Sequence, residues 1–203
     1  MILAIDTSTA ACSAAMFADD GALIDARDEV IGRGHAEQLM PMIEQLLAGR
    51  TPTQILVGCG PGSFTGLRVG LAAAHGMAIG WSVPLAGMSS LALLAVGAPG
   101  DGPVAAAMTG GHGELFVQAF DRPPLAPAGE LLNLSPETAA TAVITSLVVG
   151  TGAALLVAAR GSGEALDLYP TARNALRLPA ELRMLDPRPL YGRAPDARPR
   201  QAA

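Results

Sequence analysis

The sequence predicts an α/β fold of two lobes, and three observations carry that prediction. Residues 1–28 read as three short apolar runs joined by tight turns. From 34 to 96 the hydrophobic spacing switches to a helical period that alternates with further short apolar runs. The stretch Gly97-Ala98-Pro99-Gly100-Asp101-Gly102-Pro103 is the clearest boundary in the chain, and a second, sparser series of elements follows it.

Each element has its own signal. Residues 1–7 and 11–18 are apolar, and Asp19-Asp20-Gly21 is a strong turn before 22–28, which together make an antiparallel meander. Over 34–49, Leu39, Met42, Ile43, Leu46 and Leu47 follow i, i+3, i+4, i+7, i+8 spacing, which predicts an amphipathic helix ending at Gly49. Pro41 inside it is expected to kink the helix or mark an irregular first part. A buried strand over 54–58, a tight loop over 60–65, a helix over 66–81, a strand over 83–86 and a serine-capped helix over 89–96 complete the first half. Three hairpin-linked strands followed by alternating helices and strands is the chain order of ribonuclease-H-like folds, which include each half of the actin-like ATPases. The predicted lobes are 1–98 and 103–190, with 191–203 as a Pro/Arg-rich tail.

In the second lobe, 104–108 and 115–120 read as a hairpin around Gly110-Gly111-His112-Gly113, and 121–129 as a proline-rich loop. Ser135-Pro136-Glu137 is a helix start, with serine as cap and proline at the first helical position. Residues 147–149, Gly150-Thr151-Gly152 and 153–159 read as strand, turn and helix. The last thirty residues are expected to be only partly ordered, and no internal repeat is strong enough to use.

Composition narrows the chemistry. Half of the 203 residues are hydrophobic but only 3% are aromatic, so the core must be built from Ala, Leu, Val, Ile and Met. All 13 basic residues are arginine. The absence of lysine excludes a Walker-type phosphate lysine, a Schiff-base lysine and a Ser-Lys dyad. Cys12 and Cys59 are too few for a disulfide framework or a cysteine zinc site and read as core thiols. The net charge of −5 argues against a free-standing nucleic-acid binder. Even so, residues 173–203 hold seven of the 13 arginines: Arg173, Arg177, Arg183, Arg188, Arg193, Arg198 and Arg200. Such a cluster is either a solvated tail or a phosphate contact within an assembly. With no basic leader and no apolar run long enough to span a bilayer, the reading is a cytoplasmic chain with no membrane association.

The most specific segment is Gly58-Cys59-Gly60-Pro61-Gly62-Ser63-Phe64-Thr65-Gly66-Leu67-Arg68. Alone it reads either as a structural strand-to-helix turn or as a phosphate cradle at a helix N-terminus, with Ser63 or Thr65 as cap. Asp6, Thr7 and Ser8 stand where actin-like ATPases hold an aspartate and a phosphate-binding turn. Together with Gly60, Gly62, Ser63 and Thr65 they are the candidate nucleotide loop. On the 66–81 helix, Gly66, Gly70 and Ala74 form one stripe of small residues, and Ala73, Gly76 and Gly80 a second. Glycine in a helix interior costs up to ~1 kcal/mol relative to alanine, so two stripes imply two closely packed faces. One suits the chain's own sheet, the other a second chain. His35, His75 and His112 are scattered and none has a partner at metal-ligand spacing. A two-metal nuclease site lacks its carboxylates, and a peptidase finds no Ser-His-Asp or metal-histidine set.

The opening Ile2-Leu3-Ala4-Ile5-Asp6-Thr7-Ser8-Thr9, the His35-Ala36-Glu37-Gln38-Leu39-Met40-Pro41 stretch and the long glycine segment through Val69-Gly70 resemble the TsaB (YeaZ) family. Ser89-Ser90-Leu91 and Pro189-Leu190-Tyr191-Gly192-Arg193 are similar to its later landmarks. The likeness is dense over 1–96 and thin beyond. It implies an actin-like two-lobed fold and a role without catalytic residues of its own. That role is to bind TsaD, the catalytic subunit that transfers threonylcarbamoyl to the tRNA adenosine beside the anticodon. A small ATPase, TsaE, joins the assembly, in which ATP and magnesium are expected; none is assigned to this chain. The resemblance puts the partner contact on the two first-lobe helices, here 34–48 and 66–81. The expected interface residues are His35, Leu39, Met42, Ile43, Leu46, Gly66, Gly70, Ala73, Ala74 and Met77. TsaD carries a pair of metal-binding histidines on its first long helix; here that helix offers only His35. The sequence departs from the family at Met108-Thr109-Gly110-Gly111-His112-Gly113-Glu114, and its second lobe is shortened. A homodimer through the same helices is left open, and the alternative from another class is an independent actin-like ATPase or kinase.

Overall fold

A computed structural model describes residues 1–190. Strands β1 (Ile2–Asp6), β2 (Ala11–Phe17) and β3 (Leu23–Val30) form the antiparallel meander that the turn at Asp19-Asp20-Gly21 demands. Helix α1 (His35–Leu47) leads to β4 (Gln54–Gly58), α2 (Phe64–Trp81), β5 (Leu85–Met88) and α3 (Ser90–Gly97). Strand β4 pairs parallel to β1 and β5 parallel to β4, which gives the order β3-β2-β1-β4-β5. Pro41 does not interrupt α1. It lies on the solvent side with Glu37, whose carbonyl loses its helical donor where water can replace it.

The second lobe contains β6 (Val104–Thr109), β7 (Leu115–Asp121), the two-residue β8 (Ala126–Pro127) and β9 (Leu132–Leu134). It continues through α4 (Pro136–Ala142), β10 (Leu147–Val149), α5 (Ala153–Arg160) and β11 (Glu164–Leu166). Its sheet has the order β11-β10-β6-β7-β8, with β9 on β7. Reading β6 as the counterpart of β1, this is the first sheet's order over again, with β8, β10 and β11 shorter than their counterparts. Two lobes of that topology make the actin-like form of the ribonuclease-H-like fold.

The sheets share one core. Helices α1 and α2 cover one face of the first sheet, where Leu39, Ile43, Leu46, Leu71 and Ala74 pack on Leu3, Ile5, Met16, Ile55 and Val57. On the other face, Leu91, Leu93 and Leu94 of α3 lie between Ala4, Leu56 and Met88 of the first sheet and Ala106, Met108, Phe120 and Val149 of the second. Helix α3 is apolar all round because it is enclosed all round. With few aromatic rings to fill space, alanines let the layers approach closely.

The second lobe does not run unbroken to 190. A 3-10 turn at Ala172–Arg177 crosses back onto β1, β2 and β3, just as α3 reaches across to β6 and β7. The short helix α6 (Ala180–Arg183) then packs on β5. Nor is the arginine-rich segment loose over its described part. Arg173 pairs with Asp28 at 2.6 Å and donates to the Ala26 carbonyl, Arg177 donates to Asn174, Arg183 to the Leu176 carbonyl, and Arg188 pairs with Asp186 at 3.0 Å. These four guanidinium groups already have partners within the chain. Tyr191, Arg193, Arg198, Arg200 and the tail from 191 lie outside the described residues.

Candidate functional site

The first turn and the glycine segment meet at the carboxyl end of β1. Asp6 is 1% exposed. Its Oδ1 accepts from the Ser8 amide at 2.9 Å and the Ser8 hydroxyl at 2.6 Å, and its Oδ2 accepts from the Ser90 hydroxyl at 2.7 Å. Thr7 Oγ1 donates to the Gly66 carbonyl at 2.8 Å, and the Ser63 amide to the Ser8 carbonyl at 2.7 Å. A methyl group at Gly62 would collide with the Ser8 carbonyl, one at Gly66 with the Thr7 carbonyl, and one at Gly70 with the Thr7 hydroxyl. The glycines therefore make room for the chain's own first turn.

This geometry does not fit a phosphate or a magnesium ion. The space beside Gly60, Gly62 and Gly66 is filled by Leu67, Ser8 and Thr7, and Asp6 already accepts three hydrogen bonds from within the chain. Within the candidate nucleotide loop, Asp6, Thr7, Ser8, Gly60 and Gly62 bond or pack internally. Ser63 caps α2 by accepting from the Gly66 amide at 3.2 Å, while Thr65 lies exposed in its first turn. The arrangement is equally unsuited to a serine nucleophile. Ser8 and Ser90 are buried and donate their protons to Asp6, and His35 Nε2 lies 3.4 Å from the Ala11 carbonyl oxygen, away from either hydroxyl. In the second lobe, the Gly150-Thr151-Gly152 turn is likewise filled, since a side chain at Gly150 would strike the Ala107 carbonyl of β6 and one at Gly152 would strike Leu115 of β7. Among the described residues, no three His, Cys, Asp or Glu side chains cluster where a metal could be held.

The helix pair presents a different surface from the one expected. Leu39, Met42, Ile43, Leu46, Ala74 and Met77 lie in the chain's own core, Gly66 and Gly70 press on Thr7, and His35 is buried by Ala11. Of the ten residues expected at the interface only Ala73 reaches the surface, and it is half-buried. Helical periodicity identifies the face that must be covered, and here the first sheet covers it. The outward face of α2 is made by Ala72, His75, Gly76, Ile79 and Gly80, with Met40 exposed on α1. Gly76 and Gly80 have open space where a side chain would stand. Ile79 is 79% exposed.

Comparison with known proteins follows the same outline. The profile for TsaD, tRNA N6-adenosine threonylcarbamoyltransferase, matches residues 28–122. YeaZ from Pseudomonas aeruginosa superposes with a TM-score of 0.78 at 30% identity, covering 94% of this chain and 98% of that one. The chain belongs to the TsaB (YeaZ) family. The tRNA threonylcarbamoyladenosine biosynthesis protein TsaB of Escherichia coli is 40% identical over 129 residues, 60% of this chain and 55% of that protein. TsaB of Haemophilus influenzae is 40% identical over 100 residues, 46% of this chain and 41% of that protein. The matches thus span about half the length of these curated relatives.

Within this TsaB-family chain, sequence reasoning named Gly76 and Gly80 as a second small stripe but overlooked Ala72, His75, Ile79 and Met40. The available signal was a lack of charge: the outward side of α2 from 69 to 81 contains no Asp, Glu or Arg. Burial raises the pKa of Asp6 above its ordinary 3.8, against the opposing pull of the Ser8 and Ser90 hydrogen bonds. Because the folded state holds this proton more tightly, Asp6 favours folding most below the unfolded value, and its contribution declines as pH rises toward the folded value. Urea unfolding from pH 4 to pH 7 should therefore show the wild type losing stability relative to Asp6→Asn. A difference independent of pH would mean that the proton is not bound this way.

Proposed function

We propose that this TsaB-family chain is a non-catalytic subunit. It docks a TsaD-type catalytic subunit on the outward faces of α1 and α2 and so supports threonylcarbamoylation of the tRNA adenosine next to the anticodon. The observation that carries the docking half is the uncharged, small-residue surface of Ala72, Gly76, Ile79 and Gly80. Glycine on an exposed helix face weakens the helix and gains nothing from solvent. It allows another backbone to come close. The catalytic half rests on the filled turn: Asp6 is committed to Ser8 and Ser90. In this reading ATP and magnesium act on the TsaD-type and TsaE-type partners, and tRNA is met through the assembly. The chain works in the cytoplasm with them, and a homodimer through α1 and α2 would compete with the heterodimer for the same face. No helix among the described residues is long and apolar enough to cross a membrane.

Reconstitution tests this directly. The purified TsaD-type and TsaE-type proteins, an adenylate donor and unmodified tRNA should give modified adenosine in the presence of this chain and at least about tenfold less without it, equivalent to ~1.4 kcal/mol. Equal yields would end the proposal.

A further inference from the structure

Strand β5 is an edge strand of the first sheet, and residues 184–190 lie along it. The Gly87 amide donates to the Leu185 carbonyl at 2.7 Å, and the Leu185 amide donates back to Gly87 at 3.0 Å. Further along, the Leu190 amide donates to the Cys59 carbonyl at 2.8 Å. At the upstream end the Ser89 amide donates to the Leu182 carbonyl at 3.0 Å, and Leu182 is buried in the shared core. From 184 to 190 no residue is buried. The segment is thus held by a few backbone hydrogen bonds without an apolar anchor of its own. That is the signature of a unit able to open at much lower free energy than the global fold.

Two groups lie at its inner border. The Cys59 thiol is 0% exposed, contacts the Asp186 carbonyl oxygen at 3.7 Å and leaves no room for a side chain on Gly87. His75, on the outward side of α2, has Nε2 3.1 Å from the Pro187 carbonyl oxygen. The other thiol, Cys12, lies near the start of β2, in the core under α1 and three strands from β5 in the sheet. Burial pushes both thiols up to about 11, so neither reacts while enclosed.

We infer that residues 184–190 form a strap that opens about the Leu182 anchor independently of the rest of the fold. Opening frees the edge of β5 and uncovers Cys59, and a partner on α2 holds the strap shut by fixing His75 against Pro187. The last part rests on the docking surface proposed above; the opening does not.

The test is thiol labelling of the unaltered chain with DTNB, an aromatic disulfide, with the labelled positions read by peptide mass spectrometry. Under native conditions Cys59 should label at least about 100-fold faster than Cys12, and its rate should be nearly independent of low urea, as local opening requires. Leu185→Pro, which removes one of the two bonds to Gly87, should speed Cys59 labelling about tenfold while leaving Cys12 unchanged. Adding the TsaD-type subunit should slow Cys59 about tenfold or more. Equal rates for the two thiols, rising together with urea, would overturn the strap. Rapid Cys59 labelling unaffected by a partner that co-elutes with the chain would overturn the coupling alone. Failure of the two proteins to co-elute at all would instead count against the docking reading.

Discussion

Replacing Gly66 by alanine is expected to destabilise the chain by about 3 kcal/mol, whereas the same change at Gly76 should stabilise it by about 1 kcal/mol. Both glycines lie in α2, ten residues apart, and propensity alone would treat them alike. The difference lies in what a methyl group would meet. At Gly66 it would collide with the Thr7 carbonyl, part of the backbone of a turn already held by Asp6, Ser8 and Ser90. Neither side can yield without breaking the Thr7-to-Gly66 hydrogen bond and displacing the first turn. At Gly76 nothing lies within 4 Å, so alanine simply removes backbone freedom from the unfolded chain. Urea denaturation followed by circular dichroism reads both changes on one scale. If the two variants unfold at the same midpoint, the close approach of α2 to the first turn is wrong.

The same contrast explains what the sequence could and could not convey. Its strongest motif, from Gly58 to Gly70, was plain as a run of glycines, but glycine records only that something comes close, not what it is. Phosphate, a partner chain and the chain's own Thr7 demand the same absence of a side chain. The meander, α1, α2 and α3 were readable because hydrophobic period and turn residues are local properties. Even so, Ser63 started α2 two residues before the expected Gly66. The repetition of the sheet order in the second lobe was invisible. Its third strand is the two-residue β8 within a proline-rich loop, and Glu164–Leu166 is too short to carry a period. The crossing of α3 and the 172–177 turn between lobes is a long-range fact with no local signature. Periodicity in α1 marked Leu39, Ile43 and Leu46 as a face to be covered, but could not say that the first sheet would cover it.

Ile79→Arg is expected to weaken association with the TsaD-type subunit by about 100-fold or more, ~2.7 kcal/mol, and to abolish the gain in tRNA modification at low subunit concentration. Ile79 touches solvent over most of its surface, so arginine there costs the isolated chain almost nothing. In a closely packed interface built on Gly76 and Gly80, however, a guanidinium must lose its water with no carboxylate on this face of α2 to replace it. Gly76→Trp should act through a different cause and in the same direction, by filling the space that lets two backbones approach. A matched control separates surface chemistry from location: Ile144→Arg changes an equally exposed isoleucine, 88% accessible, on the second lobe and should leave affinity unchanged. Sizing and calorimetry with the partner measure all three. Were Ile79→Arg and Gly76→Trp to bind as well as the parent chain, the uncharged face of α2 would be no docking surface. Its exposed glycines would then remain an uncompensated loss of helix stability.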